Sequence, residues 1–335
     1  MSPIPNPPPP VSRSLTALLL CALTGAAIYL FYGPGLNGPI AGWAAFLALP
    51  GAFGGLLAQF VDPNGDETMG CFVWPTLGIV IVIGAAWLIM GEGVICIVMI
   101  LPFWVPAAIV GGLISFWNSR RRLRRDTQSA TTHAFAWLLF PLALLFYEQQ
   151  NPPVWKNVSV TREILIRASP ERVWPLLLSV PGIKADEGSF NFAQSILRVP
   201  RPTEAILTKD SHGALVRRAR WGAEIRFEER VVQIRPGREI ACTFAFPDKS
   251  VELHTDRHIS PNGTVLKIVS GRYQLSQIRP GITQVRLTTN YRIKTRLGYY
   301  LGWWGDRLLG DIQSNVLTII RDRAISKNLA LVEDV

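Results

Sequence analysis

Between Cys71 and Trp117 the chain carries a single charged residue, Glu92. Few features restrict a fold more. In hydrocarbon every backbone amide and carbonyl must be paired internally, so a run of this kind is expected to be helical. About 20 residues of helix cross a hydrocarbon core ~30 Å thick, and this run is too long for one crossing. Gly91-Glu92-Gly93 in its middle supplies a hairpin, predicting spans over 71–90 and 94–117. Three further apolar runs predict spans over 14–32, 39–61 and 129–147. The last is the shortest in its apolar centre, with Pro141 inside it.

Charge divides the chain in two. Residues 1–150 hold six Lys or Arg and six Asp or Glu, whereas the remaining 185 hold 28 basic and 18 acidic groups. The net charge of +10 therefore lies on the C-terminal part. Such a surface suits anionic headgroups, each basic group nearby adding about 1 kcal/mol of attraction. It is equally compatible with a solvated basic face.

In the apolar part, Arg120-Arg121-Arg122-Leu123-Arg124-Arg125 is the one dense basic loop. Positive loops stay in the cytoplasm, so the N-terminus is expected inside and the C-terminal domain outside, provided the run at 129–147 crosses. The first run reads as a retained helix rather than a cleaved signal, because Ile28-Tyr29-Leu30-Phe31-Tyr32 offers no small-residue site. Before it, the proline-rich residues 1–13 read as an unfolded tail. Asp62-Pro63-Asn64-Gly65-Asp66 starts like a calcium loop. It lacks the glycine and glutamate that such a loop needs at its sixth and twelfth places, where Glu67 and Val73 stand, and so reads as a turn. Cys242 is alone in the C-terminal part, which excludes a disulfide within it. Cys21 follows three leucines and fits no lipidation signal.

After Asn151-Pro152-Pro153 the apolar period changes from helical to alternating. Strands are predicted at 158–166, 204–208, 214–221, 223–234, 240–246, 264–277 and 283–295. Short Gly- and Pro-containing turns between them favour antiparallel pairing. Ser169-Pro170-Glu171 predicts a short helix start, with serine at the N-cap and proline at the first helical position. A closing helix is predicted over 299–325. Its apolar face is Trp304, Leu308, Ile312, Val316 and Ile319, with Gln313 and Asp306 off that face. The expected fold class is α+β: a multi-span helical region followed by an antiparallel sheet around a long C-terminal helix.

That order and three local sequences resemble the START-like helix-grip superfamily (SRPBCC), in its polyketide cyclase/dehydrase and lipid-transport branch. They are Ala168-Ser169-Pro170-Glu171-Arg172-Val173-Trp174, then Phe227-Glu228-Glu229-Arg230-Val231 with Pro236-Gly237-Arg238, and Trp304-Gly305-Asp306-Arg307-Leu308-Leu309-Gly310-Asp311-Ile312. The resemblance covers residues 158–327, within a domain placed at 155–327. It implies a curved sheet gripping the last helix, with an apolar cavity between them.

Alternation in 223–231 puts Ile225, Phe227, Glu229 and Val231 on the face assigned to the cavity. Glu229 is then an acid or base, or a structural carboxylate if an arginine pairs with it. Trp221, Phe227, Phe244, Tyr291, Trp304 and Leu308 complete the expected ligand-binding set, as walls that core packing would explain equally well. His254, Asp256 and His258 have the alternation of a metal site on a strand but no further ligand, and a solvated loop explains them better. No motif asks for a cofactor, a metal or nucleic acid. The expected partners are membrane lipids and a hydrophobic small molecule. Three functions fit: a membrane-tethered binder or carrier of such a molecule, a cyclase- or dehydratase-type enzyme using Glu229 or a cavity tyrosine, and a structural or sensory membrane protein.

Overall fold

The computed structural model describes residues 42–66, 68–90, 94–123, 130–255 and 260–333. The run at 14–32 and the proline-rich tail lie outside them, as do Asp256 and His258. The chain forms two compact units, Met1–Pro153 with Thr295–Leu297, and Val154–Lys294 with Gly298–Val335.

In the first unit, a π-helical turn at Ala44–Ala48 runs into α1 (Leu49–Val61), followed by α2 (Gly70–Met90), α3 (Val94–Leu123) and α4 (Ala130–Gln150). Among the described residues three helical segments are long and apolar enough to cross a membrane: Ala44–Val61, Gly70–Leu88 and Val94–Arg121. Their length and composition are those of membrane-crossing helices. α4, the run expected at 129–147, is helical but is not one of the three. Helices α1 and α3 meet through glycines: a β-carbon at Gly54 would strike the backbone of Ala108, and one at Gly111 the backbone of Gly51. Small residues at such a crossing let backbones pack closely where no hydrophobic drive separates lipid from protein. The 62–66 segment is a turn, closed by the Asp66 amide donating to Asp62 Oδ1 at 3.0 Å.

The second unit is one seven-stranded antiparallel sheet and its helices. The strands are β1 (Trp155–Ile166), β2 (Pro202–Lys209), β3 (Leu215–Trp221), β4 (Ile225–Arg235), β5 (Glu239–Ala245), β6 (Leu266–Arg279) and β7 (Ile282–Lys294), in the order β1-β7-β6-β5-β4-β3-β2. The expected strands are all present. Between β1 and β2 come α5 (Pro170–Leu178) and a π-helical turn at Phe192–Ile196, and between β5 and β6 the short α6 (Ser250–His254). The last two have no counterpart in the sequence reading. α6 places His254 in a helix rather than a strand, where it pairs with Glu224 at 2.6 Å.

Helix α7 (Gly298–Glu333) closes the fold and runs eight residues beyond the predicted end. The Gly-Asp-Arg-Leu-Leu-Gly stretch is what seats it. A β-carbon at Gly305 would overlap Tyr291 Oη, and one at Gly310 would overlap the Arg162 guanidinium. Between these two close approaches, Asp306 takes a bidentate pair from Arg162 at 2.9 and 3.0 Å. The core under the C-terminal half of the helix joins Leu317, Ile320 and Ala324 to Ile166, Val173, Leu177, Ile240 and Val285.

The inward stripe of α7 is the expected one in part: Trp304 and Ile319 are buried as predicted. Leu308, Ile312 and Val316 are only half-buried, whereas Gln313, Leu317, Ile320 and Ala324 are buried. Gln313 looked too polar to face the sheet. It does so because its amide donates to Thr289 Oγ1 at 2.8 Å and to the Val160 carbonyl at 3.1 Å. Burying an amide is tolerable when its hydrogen bonds are replaced.

Further along, Arg323 donates to both carboxylate oxygens of Glu187 at 2.6 and 2.7 Å, tying the helix to the loop after α5. These hydrogen bonds from Arg323 hold the Glu187 carboxyl down at about 2. A depressed carboxyl pKa contributes stability that is whole above the unfolded value near 4.5 and is lost as pH falls toward 2. Partial solvent screening leaves about 1–2 kcal/mol for this pair. Glu187→Gln is expected to remove that increment at pH 6 and to flatten the acid limb between pH 4.5 and 2, measured by urea unfolding across that range.

Candidate functional site

The seven expected residues fall into two groups on the inner side of the sheet. The first is on β3, β4 and β5. Trp221, Phe227, Phe244 and Phe246 are half-buried, and the other three rings pack edge-on or tilted around Phe227, with centroids 5.7, 5.9 and 6.2 Å from it. The Phe244 ring rests over Gly271 on β6, whose missing side chain leaves it room. Phe246 was not named in the expected set, although the strand predicted at 240–246 ends on it, and it lies one residue past the end of β5.

Deeper on the same face is a buried polar cluster. Arg217 and Glu229 are register partners on β3 and β4, and Arg217 Nη1 donates to Glu229 Oε2 at 2.6 Å. The side chains are 5% and 11% exposed, so the charges meet with little water to screen them. Cys242 Sγ lies 3.7 Å from the same carboxylate oxygen, and the guanidinium sits 5.4 Å from the centre of the Tyr273 ring. Burial pushes the Cys242 thiol up, and the adjacent carboxylate adds to this. Burial likewise raises the Tyr273 phenol. Neither is a base near neutral pH. Sequence reasoning found Glu229 but missed its partner. The signal was present in β3, where alternation puts Arg217 on the face of Ala219 and Trp221.

The second group lies along α7. Tyr291 is fully buried against Gly305, and burial with the nearby Asp306 carboxylate pushes its phenol up to about 12. Trp304 is buried against Phe192, with ring centroids 6.3 Å apart, and against Tyr300 and Trp303 at 6.4 and 5.0 Å. Leu308 flanks this group, half-buried.

A single rung of the sheet runs between the groups: Val160 on β1, Thr289 on β7, Gly271 on β6, Cys242 on β5 and Val231 on β4. Gln313 anchors at Thr289, and the Arg217–Glu229 pair reaches Cys242, so Gly271 separates two polar anchors in an otherwise apolar wall. Among the buried side-chain atoms that meet no hydrogen-bond partner among the described residues are Arg217 Nε, Gln313 Oε1 and Trp304 Nε1. Buried polar atoms are rarely left so, and each unmade bond costs about 1–3 kcal/mol. A groove of about 230 Å³ lies elsewhere. It is at the β4–β5 end of the sheet, lined by Arg235, Arg238, Glu239, Gln274 and Arg286. Among the described residues no three His, Cys, Asp or Glu side chains gather as a metal site would need.

No protein-family model matches the sequence, and no curated protein matches it significantly. Solved structures similar to the chain include the di-domain ARO/CYC BexL, at 17% identity and a TM-score of 0.32, over 64% of this chain and 62% of that one. The Zhui aromatase/cyclase from a Streptomyces species matches at 14% identity and 0.31, over 50% of this chain and 94% of that one. A START superfamily protein from Mycobacterium smegmatis matches at 13% and 0.31, over 50% and 97%. This chain thus spans less than two thirds of the BexL length. Likenesses of this size say nothing of what the chain binds, and the helix-grip arrangement rests on its own strand order and last helix.

Proposed function

We propose that the chain is a membrane-tethered binder or carrier of a hydrophobic small molecule, held between the sheet and α7. The observation that carries this is the trio of buried, unpartnered atoms Arg217 Nε, Gln313 Oε1 and Trp304 Nε1, on elements that bound the sheet and α7. Two donors and one acceptor of this kind suit a largely apolar molecule with a carbonyl or hydroxyl group, since ligand sites combine apolar walls with few polar anchors. The cyclase-type reading has less support. Its acid would be Glu229, which is already paired to Arg217, and the inward phenols hold their protons. Native mass spectrometry of the purified chain, searching for a retained small molecule, tests the binding reading.

The tether in this reading is the helical unit, supported by its three segments long and apolar enough to cross a membrane. With the basic loop at 120–125 in the cytoplasm and α4 as a further crossing, the C-terminal domain lies outside. A reporter active only in the cytoplasm, fused after Val335, is expected to stay silent. A bright reporter would mean that α4 does not cross.

A further inference from the structure

The register fixes which parts of the second unit share an end. β1 begins where β7 finishes, Trp155 opposite Lys294, and β6 begins beside them, Lys267 opposite Arg292. Helix α7 starts at the same end, because only three residues separate Gly298 from Lys294. The turns β2–β3, β4–β5 and β6–β7 all lie at the other end.

The first end has a composition of its own. The Trp155 ring is flanked by Lys267 Nζ and the Arg292 guanidinium, each 5.4 Å from its centre. On the first turns of α7, Tyr299 is 99% exposed and Trp303 60% exposed, four residues apart on one face. Large aromatics so exposed are uncommon on a surface that meets only water. Tryptophan flanked by cations, with exposed tyrosine and tryptophan at the same end of the domain, is the mixture found where protein meets lipid headgroups, the rings at the interface and the cations on phosphate. Trp155 also follows the last helix of the apolar unit, α4, after only four residues.

We propose that this end, made of Trp155, Lys267, Arg292, Lys294, Tyr299 and Trp303, docks on an anionic lipid surface. The inference rests on the membrane half of the reading above and is independent of the bound small molecule. It assigns the aromatic cluster at the ends of β3 and β5, which lies at the same end of the sheet, to the lipid-facing side of the domain. A hydrophobic ligand would then pass between bilayer and sheet without crossing open water.

Lysine acylation of the full chain in nanodiscs tests this, with phosphatidylglycerol compared against phosphatidylcholine, neither of which carries an amine. Lys209, at the opposite end and exposed, is the internal control. In phosphatidylglycerol, Lys267 and Lys294 are expected to react on the order of fivefold more slowly, as one basic group's attraction to the surface implies, with Lys209 unchanged. Arg292→Glu with Trp303→Ser should return Lys294 to its phosphatidylcholine rate. Equal rates at Lys267 in both lipids would overturn the proposal while leaving the membrane reading intact. Slow labelling in lipid-free detergent would overturn it in favour of a protein contact. Failure of the chain to enter nanodiscs would overturn both.

Discussion

Replacing Arg217 by methionine is expected to destabilise the second unit by about 3–5 kcal/mol. The reason is what remains behind. Glu229 sits with its side chain 11% exposed, and its nearest cation is Arg217 at 2.6 Å. Removing that cation leaves a carboxylate in a wall of Phe227, Phe244 and Cys242, with desolvation uncompensated. The double variant Arg217→Met, Glu229→Leu should recover most of the loss, since apolar residues of similar size often replace a buried pair at little cost. Urea unfolding of the four proteins in the cycle measures this. If the single change costs less than about 1 kcal/mol, water reaches the pair and the cluster is not the sealed anchor described above.

Trp304→Ala is expected to cost about 3–5 kcal/mol, the range for removing a buried aromatic ring from close packing. The indole is 6% exposed and has Phe192, Tyr300 and Trp303 around it. Trp304→Phe separates packing from polarity. It keeps an aromatic ring and removes Nε1, so stability should change by less than about 1.5 kcal/mol. Binding of a hydrophobic fluorescent probe should nevertheless weaken, because an inward donor has gone. Unchanged probe binding in Trp304→Phe, with a large loss of stability in Trp304→Ala, would leave Trp304 as ordinary core.

Much of this fold is written in local sequence. Alternation marks the seven strands, and the turns between them are glycine- and proline-rich. Pro170 after Ser169 starts α5, although the serine hydroxyl caps no helical amide. What stayed hidden depended on partners distant in the chain. Gln313 faces the sheet because Thr289, 24 residues away, accepts its hydrogen bond, and a polar residue at that spacing otherwise reads as solvent-facing. Arg217 is inward because Glu229 is across from it, and each residue alone suggests a surface. The π-helical turn at Phe192–Ile196 is likewise held from outside. The Ala193 amide donates to Asp311, and Gln194 accepts from Asn315, both on α7. No short-range pattern announces such a turn.

Native mass spectrometry of the full chain released from detergent tests the central claim most directly. The account predicts a peak heavier than the polypeptide by one small hydrophobic molecule. It should persist at collision energies that strip detergent and loosely held lipid. Occupancy should fall in Gln313→Leu and Trp304→Phe, which remove the Gln313 side-chain amide and the Trp304 Nε1 donor while keeping apolar bulk. Wild-type protein found only at its polypeptide mass, or an adduct equally retained by both variants, would contradict the claim that the space between sheet and α7 holds a ligand by these anchors.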